Sequence, residues 1–570
     1  MKFNNVFIIS IILILIKIGR NKELKTSCGY NNKGKPSSKE EIQNDKRQLS
    51  DTEYKNLSII YDINMIENDI DIYSLRKYYS IIKSSFDIVT QTLNSLLRVV
   101  EKYCYDFPAN GLDKYGYYSW NKAKFGISQS NPYFKTCDYN IDLFIVSRFF
   151  NSDEIEDNEN KDHIIISQIL YINAKTGKPF IGSIAINQRI MQSNAKLKNF
   201  EDFFKSSLLH HFIHLLGFDN WVMDSYFSNY IIKEIDIYGI KRKYINSTNV
   251  VKTAKKYYNC SDIKGVELED NSTSLHWESR ILLGEIMTVI EYEPEQVISE
   301  FTLALLQDTG YYIPYFYTGG LMQYGRNKGC KFIKEKCVQN EIIYSKFENE
   351  FHSINTIKSS KGIDPSCSSG RQSRTYSVIY IYYVPIPSYY QYFTNSSYGG
   401  YEYADFCPVA EDYYEERKNA YNFGRCNKLG SSDYGTMINY SDNKYYKSSE
   451  LKNITGEIYS DHSFCYQSSL YKNNITNKDY YSNVIRSICY ESFCSSKSLT
   501  IKIFDNYIVC PRQGGKISAI GFVGYILCPD YYLICSSNII CNDMFDCVKK
   551  KSKIKEESYN YDYVLKQVKI

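Results

Sequence analysis

Residues 208–218 read LLHHFIHLLGF, and this run decides how the rest of the chain is read. His210 and His214 stand four apart, so on a helix they share a face. Both can then offer a ring nitrogen to one ion about 2.0–2.1 Å away. A catalytic zinc takes three protein ligands and leaves a fourth position open. In the zinc-binding HExxH arrangement the Glu beside the first His is the general base, not a ligand. In this chain that position holds His211. Gly217, three residues past His214, allows the helix to end in a sharp left-handed turn and frees the chain to bring in a third ligand.

The search for that ligand is short, because the chain holds only seven histidines: His163, His210, His211, His214, His276, His352 and His462. In the compact metzincin pattern the third His lies three residues after the Gly, but Asn220 stands there. His276 is the better candidate. It sits in SLHWESRILLGEIMT, with Met287 eleven residues later, and a Met on a turn beneath the zinc is the Met-turn of metzincins. His163, His352 and His462 belong to no such pattern and read as ordinary structural or surface residues.

The order HxxxHLLGF, a long insertion, HWESR, GEIMT and then TLALLQDTGYY resembles the leishmanolysin family of zinc metalloendopeptidases. The spacing of 62 between His214 and His276 is similar to that family's. So are GKPFIGSIAIN at 177–187, YGRNKGCKF at 324–332, SFCYQSSL at 463–470 and VGYILCPDYYLIC at 523–535. The resemblance runs from about residue 57 to 545. It implies one Zn²⁺ per chain on His210, His214 and His276, Met287 as the Met-turn, and a polypeptide substrate or ligand. The family's pro-segment carries a cysteine that blocks the zinc. Cys28 is the only cysteine in the corresponding segment here, and its removal leaves sixteen, an even number for pairing. Its surroundings, TSCGYN, lack the histidines usual beside that switch.

Residue 211 leaves three readings open. In the first, His211 is the base, since an imidazole can accept a proton near neutral pH. It would bring no negative charge, and losing a general base typically costs about 10²–10⁴-fold. In the second, zinc binds but cleavage is lost, and His211 either stands by or closes the site as a fourth ligand. The third is a metal-free scaffold or a faulty gene model.

The N-terminus frames this chemistry. One Lys and then an apolar run from Val6 to Ile16 read as a signal-peptide core over residues 1–20, too short for a membrane span of about 20 residues. No clear cleavage site follows, so an uncleaved anchor is the one route to membrane attachment. The C-terminal residues are polar, without the apolar tail of a GPI signal. The seventeen cysteines and eight sequons (Asn56, Asn246, Asn259, Asn271, Asn395, Asn439, Asn453 and Asn474) point to a secretory route and a secreted or cell-surface glycoprotein. A net charge of +4 gives no reason to expect a nucleic-acid partner.

With 570 residues, several domains are expected. Residues 21–55 read as a pro-segment or disordered arm. Residues 56–218 form an N-terminal subdomain with strands around LSIIYDINMI, IDLFIV, HIIISQILYIN and FIGSIAIN, one helix over 71–102 and the zinc helix. Residues 219–350, with few strand signals, supply His276 and Met287. Residues 351–549 are a Cys-rich C-terminal domain, and 550–570 a basic polar tail. The fold class expected is α+β, a metzincin-like zinc peptidase with a disulfide-rich C-terminal domain. The function expected is proteolysis of polypeptides, with a cell-surface adhesion role, reduced or abolished at His211. The alternative is an inactive zinc-binding pseudopeptidase that serves as a secreted or surface binding protein.

Overall fold

Four apolar runs pair into the sheet that carries the metal helix: β1 (Ile59–Asp62), β2 (Leu143–Phe150), β3 (Ile165–Ile172) and β4 (Pro179–Asn187). The computed structural model describes residues 55–63, 72–99, 117–120, 123–126, 141–150, 163–195, 200–269, 275–289, 296–315, 322–343, 347, 350–351, 363–412, 424–427, 438–439, 444–445, 454–473, 485–535 and 543–551. The signal segment, the 21–54 segment with Cys28, His352, Asn271, Asn453, Asn474 and all but the first two residues of the tail lie outside them.

The strand order is β1-β2-β4-β3, parallel at β1–β2 and β2–β4 and antiparallel at β3–β4. Parallel interior strands are covered on both faces and read as continuous apolar runs. β4 obeys this, with all nine of its residues buried. The Lys175–Lys178 turn joins β3 to β4, with the Asn173 side chain accepting from the amides of Lys175 and Thr176.

Against this sheet pack α1 (Ile72–Leu96) and α2 (Phe200–Leu215). The sequence pattern over 71–102 predicts one uninterrupted helix, and the structure corrects this. The helix ends at Leu96, and Leu97–Val99 form a short strand between Lys55–Asn56 and Tyr312–Pro314. Tertiary pairing of that short stretch overrides its helical periodicity.

Residues beyond 218 are richer in strand than their sequence suggests. β5 (Ile231–Ile235), β6 (Lys241–Ile245) and β7 (Val266–Glu267) form an antiparallel meander in the order β7-β6-β5. Its strands IIKEI and KRKYI are half-exposed, so their charged residues hide the apolar alternation. α3 (Thr248–Tyr258) and α4 (Glu300–Asp308) pack together beside it.

The C-terminal part is built on β8 (Ile363–Cys367), β9 (Arg374–Val378), β10 (Ala410–Asp412) and a six-stranded sheet. That sheet comprises β11 (Ser463–Ser468), β12 (Arg486–Cys494), β13 (Leu499–Ile503), β14 (Asn506–Cys510), β15 (Gly515–Ile517) and β16 (Ile526–Cys528), in the order β14-β13-β12-β11-β16-β15. The sequence left cysteine pairing open. The structure pairs Cys367–Cys465, Cys426–Cys489, Cys494–Cys535 and Cys510–Cys528 here, and Cys260–Cys330 and Cys337–Cys407 nearer the metal helix. Mixed helix and sheet with a disulfide-rich C-terminal region is the expected fold class.

The main core continues past residue 350. Ile386, Tyr390, Tyr392, Cys407 and Val409 share one apolar cluster with α2, and so do Met544 and Val548 of α5 (Met544–Lys551), the last helix among the described residues. Buried charge reinforces that union. Arg242 on β6 pairs with Asp236 (2.7 Å), Glu278 (3.1 Å) and Asp405 (2.8 Å), and also donates to the Tyr390 hydroxyl. Arg280 meets Glu267 at 3.5 Å and Asp405 at 3.4 Å. Burial pushes the Glu267 carboxyl up to about 7, against the pull of Arg280 and Arg242. Glu267, Glu278 and Asp405 therefore lie as close as metal ligands would, but each engages a guanidinium instead.

Candidate metal centre

The zinc helix is apolar nearly all round, as a helix buried between sheet and helix must be. Leu208, Leu209, Phe212, Ile213 and Leu215 are all inaccessible to water. Each contributes roughly 1.5–3 kcal/mol through burial. Phe212 meets Phe86 of α1 edge-on at 5.6 Å. On the sheet side Gly182 of β4 lets the helix approach: a Cβ there would lie 2.7 Å from the Leu215 side chain.

Gly217 ends the helix as its sequence predicts. Its φ is 110°, its N–H donates to the His214 carbonyl (3.0 Å), and the Phe218 N–H donates to the Ile213 carbonyl (3.3 Å). These two bonds are the pair of a Schellman turn. The turn also brings back the Phe218 carbonyl, which accepts from His214 Nδ1 at 2.7 Å.

His210 is held in the same way from a different segment. Its Nδ1 lies 2.6 Å from the carbonyl of Ile286, in the turn that precedes Met287. A carbonyl can only accept, so both rings carry their proton on Nδ1 and leave the Nε2 lone pair unprotonated. The two Nε2 atoms stand 3.0 Å apart, and His276 Nε2 lies 3.3 Å from that of His210. Two lone pairs at that separation repel unless a cation lies between them. Four ligands at 2.0–2.1 Å in a tetrahedron are about 3.3 Å from one another. The donor set therefore fits zinc: three imidazole nitrogens, converging and buried. Burial first, and the neighbouring imidazoles second, hold His214 well below the usual histidine range, which keeps its lone pair free for a metal.

His276 reaches the site from an extended segment. Its carbonyl accepts from Glu269 N–H (3.0 Å), and the next residue, Trp277, donates its N–H to the Met287 carbonyl (2.9 Å). The Glu278 carboxylate, two residues on, is the one anchored by Arg242. Met287 is fully buried, on the turn whose Ile286 carbonyl holds His210.

His211 lies beside His210 and His214, its ring centroid 5.4 Å and 6.2 Å from theirs. It does not join the three converging ligands, and its Nδ1 lies 2.8 Å from the Ser167 hydroxyl on β3. It is fully buried, and that burial pushes its pKa down to about 3. His163 is buried near the start of β3, and His462 lies on the C-terminal sheet against Phe493, so neither enters the site.

Four groups around the centre carry no signal in the sequence. Ser167 is one small polar residue inside HIIISQILYIN. The carbonyls of Phe218 and Ile286 are backbone, which residue identity does not reveal. Glu285 stands within GEIMT, but nothing local says that its carboxylate is buried.

A family model described as Leishmanolysin matches residues 163–541, more than half of the chain. Leishmanolysin of Leishmania tropica is 25% identical over 376 residues, which cover 64% of this chain and 51% of that protein. Leishmanolysin of Leishmania donovani is 24% identical over 380 residues, covering 64% and 57%. A leishmanolysin-like peptidase of Drosophila melanogaster is 25% identical over 311 residues, covering 50% and 43%. The chain thus spans about half the length of the curated relatives it matches. The converging histidines lie inside the matched residues, and the chain belongs to the leishmanolysin family of zinc metallopeptidases.

Proposed function

We propose that this chain binds zinc as a leishmanolysin-type metallopeptidase whose capacity to hydrolyse polypeptides is reduced or lost at His211. The observation that carries this reading is the setting of His211. Its ring is fully buried, is engaged by Ser167, and is held far below the neutral range by desolvation. A general base works best with its pKa near the operating pH. An imidazole at about 3 is a poor acceptor at pH 7, and once neutral it offers no negative charge to an ammonium developing on the leaving group. His210, His214 and His276 would hold the ion, which when bound supplies Lewis-acid polarisation of a peptide carbonyl. A slow residual hydrolysis is consistent with that.

A second reading keeps the fold and the ion for binding polypeptides or a surface, as a pseudopeptidase with an adhesion role. It is favoured by the same Ser167–His211 bond, which ties the ring to the sheet. A secreted or cell-surface location is supported by the disulfides and by the N-terminal apolar run. Among the described residues no helix is long and apolar enough to cross a membrane.

The deciding experiment is a casein or peptide cleavage assay on purified wild type and His211→Glu, with zinc content measured on the same samples. The expected outcome is equal zinc in both and a rate about 10²–10⁴-fold higher for His211→Glu, the usual range for gaining a general base. Equal zinc-dependent rates would refute the reading. His276→Ala should lose its zinc, and retention of stoichiometric zinc by that variant would refute the ligand assignment.

A further inference from the structure

Glu285 is a fully buried carboxylate beside the metal centre, and none of the chemistry above uses it. Among the described residues, every group that reaches its carboxylate donates. Oε2 accepts from the Met287 N–H. Oε1 accepts from the Ser299 N–H at 3.1 Å, the Ser299 hydroxyl at 3.0 Å and the Thr302 hydroxyl at 2.5 Å. Ser299 caps α4 and Thr302 lies on its first turn, so the carboxylate ties the 284–288 turn to that helix. Burial pushes the carboxyl up to about 7, and the four donors oppose that push.

Three links run from this turn to the ligands. The Ile286 carbonyl, between Glu285 and Met287, takes the Nδ1 proton of His210. The Met287 carbonyl accepts the backbone N–H of Trp277, next to His276. The Thr302 hydroxyl that donates to Glu285 accepts from the Trp277 indole at 3.0 Å. One carboxylate thus lies behind both the helix ligand and the distant ligand.

We propose that Glu285 is a positioning residue of the metal centre, holding the turn so that the Ile286 carbonyl fixes His210 with its Nε2 lone pair toward the ion. This rests on the reading that His210, His214 and His276 bind zinc. Partners that orient a metal-bound histidine through its other ring nitrogen typically change metal affinity by about 10–100-fold when removed. The site accepts only an acceptor on both oxygens. Glu285→Gln has the same shape, but its amide NH₂ must face at least one donor.

The test is equilibrium competition for zinc against a chromophoric chelator, on wild type, Glu285→Gln and Thr302→Val. Visible absorption of each protein loaded with Co²⁺ then reports ligand geometry, which a purely structural role would leave unchanged. The expected result is zinc binding weaker by about 10–100-fold in Glu285→Gln, with an altered Co²⁺ spectrum. Thr302→Val should show a smaller change in the same direction. Folded Glu285→Gln with wild-type zinc affinity and spectrum overturns the proposal. If Glu285→Gln does not fold, Thr302→Val decides: weaker zinc and a shifted spectrum support the proposal, and wild-type values overturn it. Wild type that binds no zinc at all overturns the metal assignment itself, a different failure.

Discussion

His214 donates its Nδ1 proton to the carbonyl of Phe218, 2.7 Å away, across the turn made by Gly217. The residue that ends the helix therefore also orients the His214 imidazole. In most helices a terminal glycine serves backbone geometry alone. Here the last helical bonds and the tautomer of a metal ligand depend on one φ of 110°.

Gly217→Ala follows from this. A Cβ at 217 has ordinary room, with its nearest neighbours 3.7 Å away, so the cost comes from the backbone angle. A destabilisation of about 1–2 kcal/mol is expected, the usual cost of placing an L-residue in left-handed space. Zinc affinity should fall with it, because the Phe218 carbonyl moves. Chemical denaturation with and without zinc checks both, and a variant destabilised equally in the two conditions would show that the turn does not serve the ligand.

Ser167→Ala tests the Ser167–His211 contact. Removing one partner of a buried hydrogen bond costs about 1–3 kcal/mol. In the His211→Glu background the same change should cost a different amount, since the partner differs. A double-mutant cycle by urea denaturation gives the coupling, expected at about 0.5–3 kcal/mol for groups in contact. A coupling of zero would mean the two side chains do not interact in solution.

Asp405→Asn probes the joint between the C-terminal part and the segment bearing His276. Asp405 accepts from Arg242 and also faces Arg280, both buried. Breaking a buried pair on one side typically costs about 3–5 kcal/mol. Thermal unfolding should show that loss. Because Glu278, two residues from His276, shares Arg242, zinc affinity should fall as well.

Cys337→Ser together with Cys407→Ser removes the bridge that closes the same joint from the other side. A native disulfide typically contributes about 2–4 kcal/mol. The double variant should lose that much in a denaturation midpoint. Mild reduction of wild type followed by chelator should release zinc faster than chelator alone.

What the sequence revealed and what it hid divide by distance along the chain. His210, His214 and Gly217 are legible because ligand spacing and helix ending are local matters. His276 becomes legible through HWESR and GEIMT, where neighbours carry the signal that a lone histidine lacks. Ser167 and Asp405 are hidden because their partners are 44 and 163 residues away and only the fold brings them together. The strands β5 and β6 escaped notice because half-exposed strands mix charge with their apolar positions. The end of α1 is hidden for a related reason: Leu97–Val99 are strand because Lys55–Asn56 and Tyr312–Pro314 lie beside them.

α5, at residues 544–551, bears on how the chain is made. It packs against α1, and Met544 accepts from the Ile298 amide beside the helix that Glu285 holds. Synthesis proceeds from the N-terminus, so α1 emerges more than 440 residues before its partner. The core that α5 completes therefore stays open until residues 544–551 have been made. A chain stopped short of residue 544 would leave that gap permanently open, with exposed apolar surface that favours aggregation.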